Sequence, residues 1–386
     1  DDSDESDEEQ LKNFQAPVVP QSEERIRMKI TGIFTEHYKW PKEKPLQNGK
    51  HVFTHNEINL AIVETDEGIT GYGTSYSTDY VDYLSQFLIG EDPLDVERLY
   101  AKMWVPKFLC RRGISLKSIS ALDTAFWDIR SKVSGMPLYK LLGGYTNKVP
   151  CYIAGGYYAA GKGILELQKE MEEYVSWGVK SVKMKVGALS MKEDMARVKA
   201  VREAVGEDVR LMVDANCAYK AHEALEFSRM IEEYHPYWFE EPVLQDDYEG
   251  MRTFSERSRI PMAVGENEYT LYGFRDLIDQ SRPQFLNPDA GSLGGITQFI
   301  KVAAYAEAHN ITLSPHGQQQ LHAHLDCAVP GVCMAEFYPR QFDENIEKCF
   351  LEPVRFDPSD GTISPPDTPG AGMDLDREFL KQFRVG

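Results

Sequence analysis

"SVKMKVGALSMKEDMARVKAVREAVGEDVRLMVD", residues 181–214, holds two short apolar runs joined by an amphipathic stretch. In the first run Val182, Met184 and Val186 alternate with Lys183 and Lys185, so a strand would carry both ammonium groups on one face. In the middle, Met195, Val198, Val201 and Val205 recur at helical spacing. The second run, "RLMVDA", reads as another strand. A strand, helix, strand unit of this length makes a parallel pair.

The same grammar extends in both directions. "VPCYIA" begins it near residue 149, and "YWFEEP", "PMAVGE", "QFLNPD", "ITLSPH" and "VCMAEF" continue it. Eight strands with about seven intervening helices predict an α/β fold of the (β/α)8 type, a TIM-like barrel modified by one missing helix, over residues 146–350. Upstream, "RMKITGIFTEHY" is strand-like, and residues 56–75 read as two strands turning at Asp66-Glu67-Gly68. Helical periodicity follows from about 79 to 142 and stops at Gly143-Gly144. Residues 27–145 are therefore expected to form an α+β domain capping the barrel. The Pro/Gly/Asp-rich stretch 351–386 reads as loop that returns to that domain.

The chain has 386 residues and a net charge of −19, which argues against nucleic acid and anionic membranes as partners. Seven of the first ten residues are acidic, and residues 1–26 are set aside as a charged tail and lead-in. No apolar run reaches the ~20 residues a bilayer span needs, and no signal peptide is visible. Six cysteines (110, 151, 217, 327, 333 and 349) lack metal-ligand spacing and fit free thiols in a reducing, cytoplasmic setting.

Active sites of such barrels lie at the C-terminal ends of the strands. Strands three to eight each end on an ionisable group: Asp214, Glu240 with Glu241, Glu266, Asp289, His316 and Glu336. Asp214, Glu240 and Glu266 recur at 26-residue intervals, one strand–helix unit each. Three carboxylates converging on one rim would repel, and a hard divalent cation removes the conflict; all-oxygen ligands suit one Mg²⁺. Lys183 and Lys185, on strand two, would face the same mouth. A cation and a second lysine nearby should lower the pKa of either lysine toward that of a base. Asp289 and His316, on neighbouring strands, form an orienting carboxylate–imidazole pair roughly opposite the lysines. His322 and His324 are expected on a helix surface or in loop packing.

Taken together these motifs resemble the enolase superfamily and its mandelate racemase subgroup. The resemblance spans nearly the whole chain, including "SALDTAFWDIRSKVSGMPLYKLLGG" in the N-terminal domain. It implies Lys185 as one base and Lys183 beside the substrate carboxylate. It also implies His316 as the opposite acid/base, and Glu336 as a hydrogen-bond donor to the charged substrate. The muconate cycloisomerase branch carries a lysine after strand six, where this chain has Asp289. The implied chemistry is Mg²⁺-dependent removal of the α-proton of a carboxylate, giving an enediolate. Loss of water from the β carbon would then make a 2-keto-3-deoxy acid, the work of an acid-sugar dehydratase. Racemisation, epimerisation or cycloisomerisation is the alternative. By analogy the stretch 35–53, with Lys42, Lys44, Lys50 and His51, is a loop closing over an anionic, polyhydroxylated substrate. Arg111 and Arg112 could extend the pocket. A Schiff-base aldolase and a catalytically inactive binding barrel remain as competing classes. A small-molecule acid and a second copy of the chain, as a homo-oligomer, are the expected partners.

Overall fold

The structure is a computed structural model that describes residues 27–104, 113–338, 345 and 347–385. The acidic tail and Cys110, Arg111 and Arg112 lie outside the described residues. Three antiparallel strands, β1 (Ile30–Gln47), β2 (Val52–Thr65) and β3 (Thr70–Ser75), form one sheet. Helix Ile114–Ser134 packs across it. The contact is close because β3 carries glycine there: a Cβ on Gly73 would lie 2.0 Å from the Ala121 carbonyl oxygen, and one on Gly71 would lie 2.3 Å from that of Ala125.

The stretch 35–53 is not a loop. It is the far end of β1, a turn at Asn48–Lys50 and the start of β2, a hairpin tip that overhangs the barrel. The Asn48 side chain holds the turn by accepting from Lys50 N and His51 N. Its alternating side chains could not report the pairing, because both faces carry polar residues.

Eight parallel strands follow: β4 (Val149–Gly155), β5 (Ser181–Lys185), β6 (Arg210–Asp214), β7 (Phe239–Glu240), β8 (Met262–Val264), β9 (Phe285–Leu286), β10 (Thr312–Leu313) and β11 (Ala335–Phe337). They pair in order from β4 to β10. β11 pairs back onto β4, and Leu313 bridges Val332 to complete the ring. Helices fill all seven intervals, as the repeating pattern predicts.

Alternation along each strand divides the core in two. Val182, Met184, Leu211, Val213 and Phe239 face the helical shell. Tyr152, Met212, Trp238 and Met334 face inward, with Phe285 packed against them, and plug the lower barrel. One pleat further along the same inward faces, the residues are ionisable. Lys185 is in register with Asp214, and Asp214 with Glu240. An aromatic floor thus lies directly beneath a charged layer.

After the barrel the chain is not all loop. β12 (Arg355–Asp357) and β13 (Thr362–Ser364) form a hairpin that adds antiparallel to β4. The chain then runs back along the N-terminal sheet, where Asp374 pairs with Lys132 at 3.1 Å and Arg377 Nε donates to Glu36 at 2.9 Å. Among the described residues no helix is long and apolar enough to cross a membrane, and Cys151, Cys217, Cys327 and Cys333 are free thiols.

Candidate active site

A cavity of about 680 Å³ opens between the hairpin tip and the strand ends. Lys185, Glu266, Asp289 and His316 line it, with Lys42, Lys50 and His51 on the hairpin side. Lys183, Asp214, Glu240 and Glu336 sit just beneath, each buried. All eight residues singled out from the sequence therefore converge on one barrel mouth.

Asp214, Glu240 and Glu266 each offer a carboxylate oxygen, and the three oxygens lie within 4.8 Å of one another. Among the described residues Glu266 Oε2 is buried with no hydrogen-bond partner, and His316 Nε2 stands 3.5 Å from it. An orphaned acceptor beside two further carboxylates is the donor set a hard divalent cation takes. Burial, offset in part by Lys183, pushes the Glu240 carboxyl up to about 8, with Asp214 and Glu266 adding repulsion. The Trp238 indole donates to its second oxygen at 3.0 Å.

The two lysines have different surroundings. Lys183 Nζ lies 2.6 Å from Glu240, 2.8 Å from Glu336 and 3.7 Å from Asp214. Among the described residues Lys185 Nζ pairs with Asp214 alone, at 2.5 Å, and it stands over the Tyr157 ring. The expected fall in lysine pKa assumes a bound cation; the protein groups by themselves act the other way. Burial pushes both down, but Glu240 and Glu336 around Lys183, and Asp214 beside Lys185, outweigh it and hold both above the ordinary value.

His316 Nδ1 is 2.9 Å from Asp289 Oδ2, and its Nε2 faces Glu266 at 3.5 Å and Glu336 at 3.9 Å. Burial lowers the imidazole pKa, but Glu266, Glu336 and Asp289 raise it well above the usual value. Glu336 sits among cations. Burial raises its pKa, yet Lys183, His316 and Lys185 pull it below the usual carboxylate range, and Oε2 accepts from Gly317 N at 2.7 Å. It is an acceptor here, because its neighbours are cations; a donor role requires that it first gain a proton.

His322 and His324 are buried rather than on a surface. His322 Nε2 accepts from Ala290 N at 3.1 Å, and His324 Nδ1 from Tyr139 N at 3.4 Å. Their helix, Gln319–Ala328, is buried on every side, so its periodicity could not mark an outer face.

Two cavity residues, Asn267 and Tyr76, escaped the sequence reading, and Glu241 was noted at its strand end without a role. Glu241 accepts from Asn267 Nδ2 at 2.7 Å, and both line the cavity. Each directly follows a chosen carboxylate ("FEEP", "VGEN"), a signal that was present. Tyr76, from the other sheet, donates to Asp289 Oδ2 at 2.6 Å; only the docking of the two units brings it there.

A capped eight-stranded barrel with three carboxylates, two lysines and a His–Asp pair at its mouth has the architecture of an enolase-superfamily protein. Residues 166–379 match the enolase C-terminal domain-like family, and residues 30–143 match the mandelate racemase/muconate lactonizing enzyme N-terminal domain. The chain belongs to this family. It is 35% identical over 341 residues to an arabinonate dehydratase of Saccharolobus solfataricus, covering 85% of this chain and 91% of that one. It is 33% identical to a 3,6-anhydro-alpha-L-galactonate cycloisomerase of Streptomyces coelicolor, covering 92% of this chain and all of that one. A racemase structure from Streptomyces coelicolor with bound magnesium superposes with a TM-score of 0.86 at 32% identity, covering 92% of this chain and 100% of that one. The protein is thus an enzyme of a family that holds both dehydratases and cycloisomerases.

Proposed function

We propose that the protein is an acid-sugar dehydratase, removing the α-proton of a sugar acid and then water from the β carbon to give a 2-keto-3-deoxy acid. The observation that carries this reading is the pair of proton-handling groups, Lys185 and His316, both lining one cavity beside the carboxylate triad. Asp214, Glu240 and Glu266 would hold one magnesium ion, as the bound metal of the racemase neighbour supports. When bound, that ion supplies positive charge against the substrate carboxylate as the enediolate forms.

The chain's own groups do the rest. Lys185, once its ammonium has released a proton to solvent, accepts the α-proton from the substrate. Lys183, with its charge retained by Glu240 and Glu336, supplies fixed positive charge under the site. His316, protonated and oriented by Asp289, donates from Nε2 to the departing hydroxyl. Lys42, Lys50 and His51 on the hairpin tip give the far wall a basic, polar character suited to a polyhydroxylated anion.

The cycloisomerase relatives keep isomerisation as a second reading, with the same first step and His316 returning its proton to carbon. A screen of mono- and diacid sugars with Mg²⁺, scored for 2-keto product, tests the proposal. Lys185→Ala and His316→Asn should each abolish product formation. Isomer without 2-keto product would replace dehydration with the second reading. Borohydride trapping on either lysine, with indifference to EDTA, would put a Schiff-base aldolase in its place.

A further inference from the structure

Asp289 Oδ2 accepts two hydrogen bonds, from the Tyr76 hydroxyl at 2.6 Å and from His316 Nδ1 at 2.9 Å. Its other oxygen accepts from Gly291 N at 2.8 Å. Tyr76 does not belong to the barrel; it directly follows β3, in the N-terminal sheet. Its backbone is pinned on both sides, since Ser75 Oγ donates to the Lys117 carbonyl at 2.6 Å and accepts from Ser77 N at 3.2 Å. The residue after His316 makes room for it. A Cβ on Gly317 would lie 3.0 Å from the Tyr76 oxygen, and Gly317 itself has φ +61°, where glycine is favoured.

A carboxylate oxygen offers two in-plane lone-pair directions. With one taken by Tyr76, a single direction is left for the imidazole N–H. That fixes the ring's tilt and aims Nε2 into the cavity. Burial and the Asp289 charge hold the tyrosine firmly protonated, so it is a permanent donor. We infer that Tyr76 is a positioning residue for the His316–Asp289 pair, one that makes the His316 proton transfer depend on the N-terminal sheet being docked on the barrel. Tyr76 also lines the cavity, so a substrate contact is the competing role. The inference rests on the α-proton reading given above.

The test uses the full-length enzyme with Mg²⁺ in D₂O and two acid sugars epimeric at the α carbon. One presents its α-proton to Lys185 and the other to His316, as assigned by Lys185→Ala and His316→Asn. Tyr76→Phe keeps the ring and removes only the donor. It should lower turnover and His316-side exchange by roughly 10- to 100-fold, the scale of one charge-assisted hydrogen bond. Lys185-side exchange should stay at the wild-type rate and KM within about twofold, because nothing on that side changes. In the His316→Asn background Tyr76→Phe should have no further effect on exchange.

Equal loss on both sides, no loss on the His316 side, or a rise in KM alone would overturn the positioning role. Thermal unfolding of Tyr76→Phe checks that the fold is retained. If Lys185→Ala and His316→Asn each remove one exchange while Tyr76→Phe is silent, only the Tyr76 assignment falls. If those two variants leave both exchanges intact, the α-proton reading falls and this inference with it.

Discussion

Replacing each lysine by methionine in turn separates structural charge from catalytic charge. Lys183 is the counter-charge of two carboxylates, Glu240 at 2.6 Å and Glu336 at 2.8 Å, both with fully buried side chains. Lys183→Met strips both of that partner. Leaving a buried charge unpaired costs about 3–5 kcal/mol, and this variant belongs within that range. Lys185 serves Asp214 alone, and Asp214 keeps Lys183 at 3.7 Å when Lys185 is removed. Lys185→Met therefore belongs at or below the lower end. At ~2–4 °C per kcal/mol for a large domain, Lys183→Met should melt about 6–20 °C below wild type. Lys185→Met should fall between the two. The assay is thermal unfolding by circular dichroism at neutral pH in EDTA, so that no cation substitutes for the lost ammonium. Activity should separate the variants differently. Lys185→Met should lose ~10²- to 10⁴-fold in kcat with Mg²⁺, the worth of a general base, while most of its stability remains. Lys183→Met melting with wild type, or Lys185→Met melting below Lys183→Met, would refute the partition.

Two further outcomes follow from the site and its surroundings. Asp214→Asn should weaken Mg²⁺ binding measured by calorimetry at least tenfold, since it removes a charged ligand oxygen; an unchanged titration would remove Asp214 from the ligand set. His324 is held neutral by burial, with its pKa pushed down to about 3. The unfolded chain takes up a proton near 6.5 that the folded chain refuses, so stability present above pH 6.5 is lost as pH falls toward 3. His324→Gln should flatten the stability profile in that window by an amount on the order of a few kcal/mol, read from urea midpoints; a slope equal to wild type would show that the ring protonates in place.

Much of the fold was legible because it repeats. Each strand–helix unit carries its own apolar period, so eight short runs could be counted without knowing how they close. The carboxylates were legible for the same reason: Asp214, Glu240 and Glu266 recur once per unit at the strand ends. The hairpin tip was not legible, because β1 and β2 are polar on both faces there and alternation carries no information. Nor was β13, three residues whose pairing with β4 is set by a partner more than two hundred positions away.

The sequence by itself determined that Lys183 and Lys185 share a face, that they precede the first metal-type carboxylate by one unit, and that a histidine and an aspartate stand on the far side. Those are consequences of strand period and unit length, which are local. Tertiary structure decided what each group touches. It placed Glu240 and Glu336 against Lys183 and Asp214 against Lys185, carboxylates that by themselves hold both lysine pKa values up. It made Glu336 an acceptor by surrounding it with cations, and it brought Tyr76 from another sheet onto Asp289. Charge interactions in a buried mouth depend on ångström separations between strands remote in sequence, and no local pattern encodes those separations.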